Sequence, residues 1–304
     1  MASPLLAIVG PTASGKSELA MAVAARLSVE ILVADSRQVY RGMDIGTAKP
    51  GADARAIVPH HLLDLAAPDE PFTVAQWVEQ AREIVPAIAA RGPTPLLVGG
   101  SGLYVAALVD GHDYASQGWD PKLRAQLIAT LESEGLDPLV ERLARAAPHV
   151  AGTTDARNPR RVLRALERAA AGGAEPRREP YPGRVTLIGL DRPREVLYRR
   201  IDERARWLFA NGLLEEVAGL MRAGYGQDLR PMTGHGYAEA MRHLAGEWSL
   251  EQAIEVTARR TRQYGKRQLT WFRRDPRITW LAAGDGPAAD VVEDALRVFG
   301  ETDQ

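Results

Sequence analysis

No cysteine occurs among the 304 residues, so disulfides, thiol nucleophiles, iron–sulfur clusters and every Cys-ligated zinc site are excluded together. No sign of charge prevails either: 38 Lys and Arg stand against 39 Asp and Glu, for a formal net charge of -1. That total carries no global pull toward nucleic acid or an acidic membrane. Apolar runs are short. The first, Leu5 to Val9, has no basic leader and stops at Gly10, far below the roughly 18 residues of a membrane span. No membrane partner is expected, and a reducing, cytoplasmic location fits the missing thiols. What remains is a chain with 45% hydrophobic residues, long enough for about two domains.

Leu5–Val9 reads as a buried strand, the glycine-containing stretch after it as a loop, and Glu18 to Leu27 as a helix. Ile31–Ala34 is a second strand ending at Asp35; Thr73 caps an amphipathic helix running to Ala90; Leu96–Val98 is a third strand. Strands alternating with helices predict an α/β fold with a parallel sheet, whose ligands bind beyond the carboxyl ends of the strands, where Gly10, Asp35 and Gly99 stand. From about Gly111 to Gly183 the alternation gives way to three helical stretches, 120–134, 137–146 and 155–171, with a breaker-rich exit from Gly172 to Gly183 read as a hinge. A strand at Val185–Leu190, helices at 193–223, 235–245 and 250–272, a strand at Ile278–Leu281 and a terminal helix complete the pattern. The expected division is a core of residues 1–111 and 184–304 and a helical insertion domain of residues 112–183.

Gly10-Pro11-Thr12-Ala13-Ser14-Gly15-Lys16-Ser17 matches G-x-x-x-x-G-K-[ST] between a strand and a helix. Glycines let backbone N–H groups converge on phosphate oxygens at a helix N-terminus, Lys16 supplies a point charge, and the Ser17 hydroxyl is placed to ligate Mg²⁺. The motif specifies a polyphosphate and leaves open which one, since ATP and a pyrophosphate ester present the same oxygens. Asp35 in an ordinary phosphate-loop enzyme would hold Mg²⁺. Ser36, Arg37, Gln38 and Lys49 add hydroxyl, cationic and amide groups next to it.

Taken in order and spacing, the phosphate loop, Asp35–Tyr40, Asp44–Pro50, His60–Asp64, Gly99–Tyr104, Asn158–Glu167 and Thr261–Gln268 resemble the bacterial tRNA dimethylallyltransferases over about residues 5 to 281. The resemblance implies a phosphate-loop core with a helical insertion. The implied reaction moves a dimethylallyl group from dimethylallyl diphosphate to N6 of adenosine 37 in tRNAs reading U-initial codons, producing isopentenyladenosine and diphosphate. Residues Gly10 to Ser17 would grip the diphosphate with Mg²⁺ despite looking like an ATP site, Arg204 would help hold it, and Asp35 would be the general base. Ser101, where many relatives carry threonine, would contact the reacting amine or base; a plain helix cap is the alternative. Asp35, Ser36, Arg37 and Gln38 would meet the target nucleotide, with Gln38 able to bond a base edge bidentately. Arg124, Arg160, Arg161 and Arg164 would hold the tRNA anticodon stem-loop.

Physical patterning agrees with a polyanionic partner. Arg157, Arg160, Arg161 and Arg164 lie three or four residues apart on one predicted helix face without an intervening acid. Residues 259–274 hold seven basic side chains and no acid, with Tyr264, Trp271 and Phe272 interleaved. By contrast residues 283–304 sum to -5, so the total of -1 averages away a basic signal. His60 and His61, adjacent on a strand, point to opposite faces and are expected to be structural. The rival readings are a small-molecule or nucleotide kinase and a prenyltransferase acting on free adenine nucleotides; neither needs the arginine-bearing insertion. A monomer is expected, because one chain supplies every part.

Overall fold

The computed structural model describes residues 2–111, 120–172 and 178–300. The chain forms two compact units, Met1–Val109 with Tyr181–Gln304, and Asp110–Pro180. Much of the stretch read as a hinge, and the first residues of the expected insertion, fall outside the described residues.

The first unit is built on a six-stranded, wholly parallel sheet in the order β3-β2-β4-β1-β5-β6. Its strands are β1 (Leu5–Val9), β2 (Val29–Ala34), β3 (His60–His61), β4 (Thr94–Gly99), β5 (Val185–Asp191) and β6 (Ile278–Ala282). Strands covered on both faces are apolar throughout rather than alternating, which is why β1, and β2 from Ile31 onward, read as short unbroken runs; every residue of both strands is buried, Glu30 included. One face, with Leu6, Ile8, Ile31, Val33, Leu96, Val98 and Ile188, packs with α1 (Lys16–Ala24), a 3-10 turn (Ala288–Val291) and α13 (Val292–Gly300). α3 (Val74–Ala90) and α4 (Gly102–Val109) also lie against β4. The register decides the site: Val9 pairs Gly99, and Gly99 pairs Ala34. Gly10, Asp35 and Gly100 therefore leave the sheet side by side at its carboxyl edge.

Between β2 and β4 come α2 (Ala52–Ile57) and α3, which starts at a reciprocal Thr73–Gln76 capping box. After β5 the helices are α9 (Arg194–Ala210), α10 (Leu213–Arg222), α11 (Tyr237–Leu244) and α12 (Leu250–Phe272). The single helix expected over 193–223 is two, because Asn211 closes α9 and Gly212, at φ 98°, takes a left-handed conformation before α10. Among the described residues no helix is long and apolar enough to cross a membrane.

The second unit contains α5 (Pro121–Glu134), α6 (Asp137–Ala146), α7 (Pro148–Thr153) and α8 (Pro159–Ala170). Its own core gathers Leu127, Leu139, Leu143, Val162, Leu163 and Leu166. The helix expected over 155–171 begins only at Pro159. The side chain of Asp155 accepts from Arg157 N, and that of Asn158 accepts from Arg161 N, making Asn158 the cap and leaving Arg157 outside the helix.

Candidate active site

Glycine-dependent turns and close approaches assemble the carboxyl edge. The phosphate loop turns with φ 144° at Gly10, 62° at Ala13 and 99° at Gly15; a left-handed non-glycine such as Ala13 is a strained conformation held by its surroundings. Those surroundings are visible. Arg192 Nε donates to Ser14 O at 2.7 Å, Arg200 Nε to Ala13 O at 3.1 Å, and Thr12 N to Gln268 Oε1 at 2.8 Å. A Cβ on Gly15 would strike Ala288, and one on Gly99 would strike the Ala34 backbone carbonyl. So β2 and β4 run into the site at a separation only glycine permits.

Lys16 Nζ reaches back across the loop to Pro11 O at 2.6 Å. Burial and the neighbouring Arg204 guanidinium lower its pKa to about 8, opposed by Asp35. Arg204 is likewise pulled below its ordinary range by burial, and Asp35 resists the shift. Rather than joining a surface ion pair, the Arg204 guanidinium donates to Thr47 O at 3.3 Å. Two cations and one carboxylate thus share a half-buried space that favours an added anion.

Asp35 Oδ1 accepts from Arg37 N at 2.8 Å. Ser101 Oγ accepts from Ser36 N at 3.1 Å and lies beside the Tyr264 hydroxyl, whose pKa burial pushes up to about 12 against the opposing influence of Ser101. Its side chain is therefore engaged across the site, and only its backbone carbonyl starts α4, accepting from Tyr104 N and Val105 N. Gln38 Nε2 donates to Thr47 O at 3.1 Å and Ala48 O at 3.3 Å. A bidentate base-edge contact would need that amide group released, while Oε1 is the end outside these bonds. Arg37 NH1 is tied to the carbonyls of Arg230 and Pro231 at 2.6 and 3.0 Å.

One cavity of about 690 Å³ is lined by Thr12, Ala13, Gly15, Lys16, Ser17, Asp35, Gln38 and Arg204 from among the expected site residues, and by Tyr264, Gln268 and Trp207 besides. A second space of about 210 Å³ meets Thr12, Asp35, Ser36, Arg37, Arg204 and Tyr264. The phosphate loop, Asp35, Gln38 and Arg204 are thus brought together. Arg124, Arg160, Arg161 and Arg164 belong to the second unit. Arg124 and Arg164 share the buried Glu167 at 2.9 and 3.1 Å, so Arg164 is not an unpaired cation. Arg160 and Arg161 are exposed, with no acidic partner among the described residues.

The basic run 259–274 is similarly less free than its sequence reads. Arg260 pairs with buried Glu239, Arg262 with Asp202, and Arg273 with Asp191 at 3.2 Å. Sequence reasoning took this segment for charge and missed that Tyr264 and Gln268, one turn apart, both face the cavity; their i, i+4 spacing was the available signal. It missed Glu216 too. This carboxylate accepts from Asp44 N, Ile45 N and Gly46 N at 3.0, 2.6 and 3.2 Å, and from Tyr237 Oη at 2.5 Å. His61 Nε2 meets Glu30 Oε2 at 2.6 Å, and His60, which also lines the larger cavity, meets Val58 O through Nδ1 at 2.7 Å.

A parallel sheet with a phosphate loop after its first-in-sequence strand, a carboxylate after the second and a helical unit inserted before the fifth defines an α/β phosphate-loop protein. Comparison with known proteins narrows the class. The IPP transferase family model matches residues 38–275 and the isopentenyl transferase model residues 3–56. A tRNA dimethylallyltransferase of Geobacter sulfurreducens is 45% identical over 91% of both chains, and that of Geobacter metallireducens 46% identical over 91% of this chain and 92% of that one. The crystal structure of the tRNA isopentenylpyrophosphate transferase of Bacillus halodurans superposes with a TM-score of 0.74 at 38% identity, covering 98% of this chain and 96% of the other. The chain belongs to the tRNA dimethylallyltransferase family.

Proposed function

We propose that the chain transfers a dimethylallyl group from dimethylallyl diphosphate to N6 of adenosine 37 in tRNA. The observation that carries this is the cavity of about 690 Å³ lined together by the phosphate loop, Arg204 and Asp35, which joins a diphosphate cradle to a proton acceptor. As C1 of the allyl group separates from its bridging oxygen, the bond electrons pass to the diphosphate, where Lys16, Arg204 and loop N–H groups stabilise the growing charge. A new bond forms between C1 and N6, and the amine proton moves to Asp35. The amine lone pair is delocalised into the ring, so a base at this point matters. Ser101 orients the Asp35–Ser36 turn through its bond to Ser36 N.

Ser17 opens the first turn of α1 and lines the cavity. No cluster of three or more His, Cys, Asp or Glu that could hold a metal occurs among the described residues. A site with one hydroxyl and a nearby carboxylate suits Mg²⁺, which keeps waters and takes its other ligands from phosphate. When bound there, Mg²⁺ would add charge stabilisation to the leaving diphosphate.

Adenosine 37 is stacked in the anticodon loop and has to be extracted to reach this cavity, with Ser36, Arg37 and Gln38 receiving it. The second unit forms the insertion domain that holds the anticodon stem-loop through the exposed Arg160 and Arg161, while Arg124 and Arg164, engaged on Glu167, fix the helices that present them. A single chain in the cytoplasm supplies all of these parts. Incubation with Mg²⁺, dimethylallyl diphosphate and unmodified tRNA should yield prenylated adenosine by nucleoside mass spectrometry, with AMP unmodified. ATP-dependent phosphorylation of an acceptor without prenylated tRNA would establish the kinase reading instead.

A further inference from the structure

Gln268 is buried in α12, on the face that carries Tyr264 one turn earlier. Both ends of its amide are used. Oε1 accepts from Thr12 N at 2.8 Å and Nε2 donates to Gly100 O at 2.8 Å. Thr12 belongs to the phosphate loop after β1, and Gly100 directly precedes Ser101 after β4. The two loops leave neighbouring strands, since Val9 pairs Gly99, yet the groups they offer here are one backbone donor and one backbone acceptor. A side chain that accepts at one end and donates at the other joins them. Glutamate would accept from Thr12 but set a carboxylate oxygen against the Gly100 carbonyl; an aliphatic residue would leave both polar groups unpaired. Gly100 shows how close the fit is, because a Cβ there would strike Gln268 Nε2.

We infer that Gln268 is a positioning residue for prenyl transfer, fixing the separation between the loop that holds the diphosphate and the Ser101 loop that faces the acceptor amine. This rests on the reading of the cavity as the prenyl-transfer centre. In-line displacement requires C1 and N6 at a defined approach, and an error of about 1 Å in that approach costs on the order of 100-fold in rate. The amide itself touches neither reacting atom. Its loss should therefore appear in the transfer step more than in the binding of either substrate.

The test is single-turnover transfer at saturating dimethylallyl diphosphate and tRNA. Gln268→Glu is expected to slow that step by roughly 10- to 100-fold while KM for each substrate changes less than about threefold, and Gln268→Ala likewise. Gly100→Ala should slow transfer in the otherwise unchanged protein but cost less in the Gln268→Ala background, where the side chain it strikes is gone and only the 3.2 Å approach to the Gly10 carbonyl remains; a purely local folding defect would cost the same in both. An unchanged single-turnover rate in Gln268→Glu, a defect confined to KM, or equal costs of Gly100→Ala in the two backgrounds would each overturn the inference. Should Gln268→Glu fail to fold, the Gly100→Ala pair decides. Absence of prenylated tRNA with the unsubstituted protein would instead refute the underlying reading.

Discussion

Lys16 is the residue whose state the site controls most directly. With a pKa of about 8 it is roughly nine-tenths charged at pH 7 and one-tenth at pH 9. A diphosphate beside it raises that pKa again, so binding near pH 8 should take up a proton. Apparent affinity for inorganic diphosphate should fall by up to about tenfold per pH unit above 8. Calorimetry in buffers of different ionisation enthalpy reads the uptake; a heat independent of buffer would contradict it. The stability sign follows from the same numbers. Below pH 8 the folded and unfolded chains are both protonated at Lys16 and the full penalty of burying the charge is present. Between 8 and 10.5 the folded chain releases its proton first, so stability gains from this group as pH rises. Asp35 makes a second case. Asp35→Ala should reduce transfer by at least about 100-fold and leave tRNA affinity within a few-fold, read by rapid quench and filter binding; retained transfer per bound complex would remove Asp35 as the base. Both residues were legible because their chemistry is carried by a motif at a strand end. Gln268 was not, since its role is set by two backbone atoms 256 and 168 positions away in sequence.

At the level of elements, the loop 44–48 has no regular structure of its own and is held by Glu216 from α10. Four donors converge on that carboxylate, and the loop then presents Thr47 O to both Gln38 and Arg204. Glu216→Ala would leave three backbone N–H groups without their acceptor, at a cost of roughly 2 kcal/mol, and should raise KM for dimethylallyl diphosphate by loosening Arg204. Denaturant unfolding and initial rates check the two effects, and a stability loss with unchanged KM would sever the loop from Arg204. Gly46 is constrained in the same place, since a Cβ would enter the Tyr237 ring. The strands and most helices could be read from the sequence, because doubly covered parallel strands are unbroken apolar runs and the caps at Thr73, Asp120 and Ser249 are explicit. The break at Asn211–Gly212 was missed because apolar periodicity continues past the left-handed Gly212, and the late start at Pro159 because the side chains of Asp155 and Asn158 bond the backbone ahead of the helix.

Across the whole molecule, the net charge of -1 conceals how the cations are distributed between pairing and display. The run 259–274 contributes seven positive charges, but acids from β5, α9 and α11 neutralise Arg273, Arg262 and Arg260. Such partners lie 21 to 82 positions away and no window of sequence can reveal them. In the second unit the division is sharper. Glu167 is buried between Arg124 and Arg164, so that pair is part of the packing, while Arg160 and Arg161 one turn back on α8 are exposed. The two kinds of arginine should respond differently to substitution. Arg160→Ala with Arg161→Ala should weaken tRNA binding and flatten its dependence on salt, lowering the slope of log K against log salt by about 1.4–1.8 if each side chain neutralises one phosphate. KM for dimethylallyl diphosphate and the unfolding midpoint should stay near their original values. Arg164→Ala should instead leave Glu167 with one partner in a low-dielectric core and lower the midpoint of the unfolding transition. Filter binding across a salt series, paired with thermal unfolding, separates the outcomes. An unchanged salt slope in the double variant would mean that the exposed arginines of α8 are solvated surface and that the tRNA phosphates are met elsewhere.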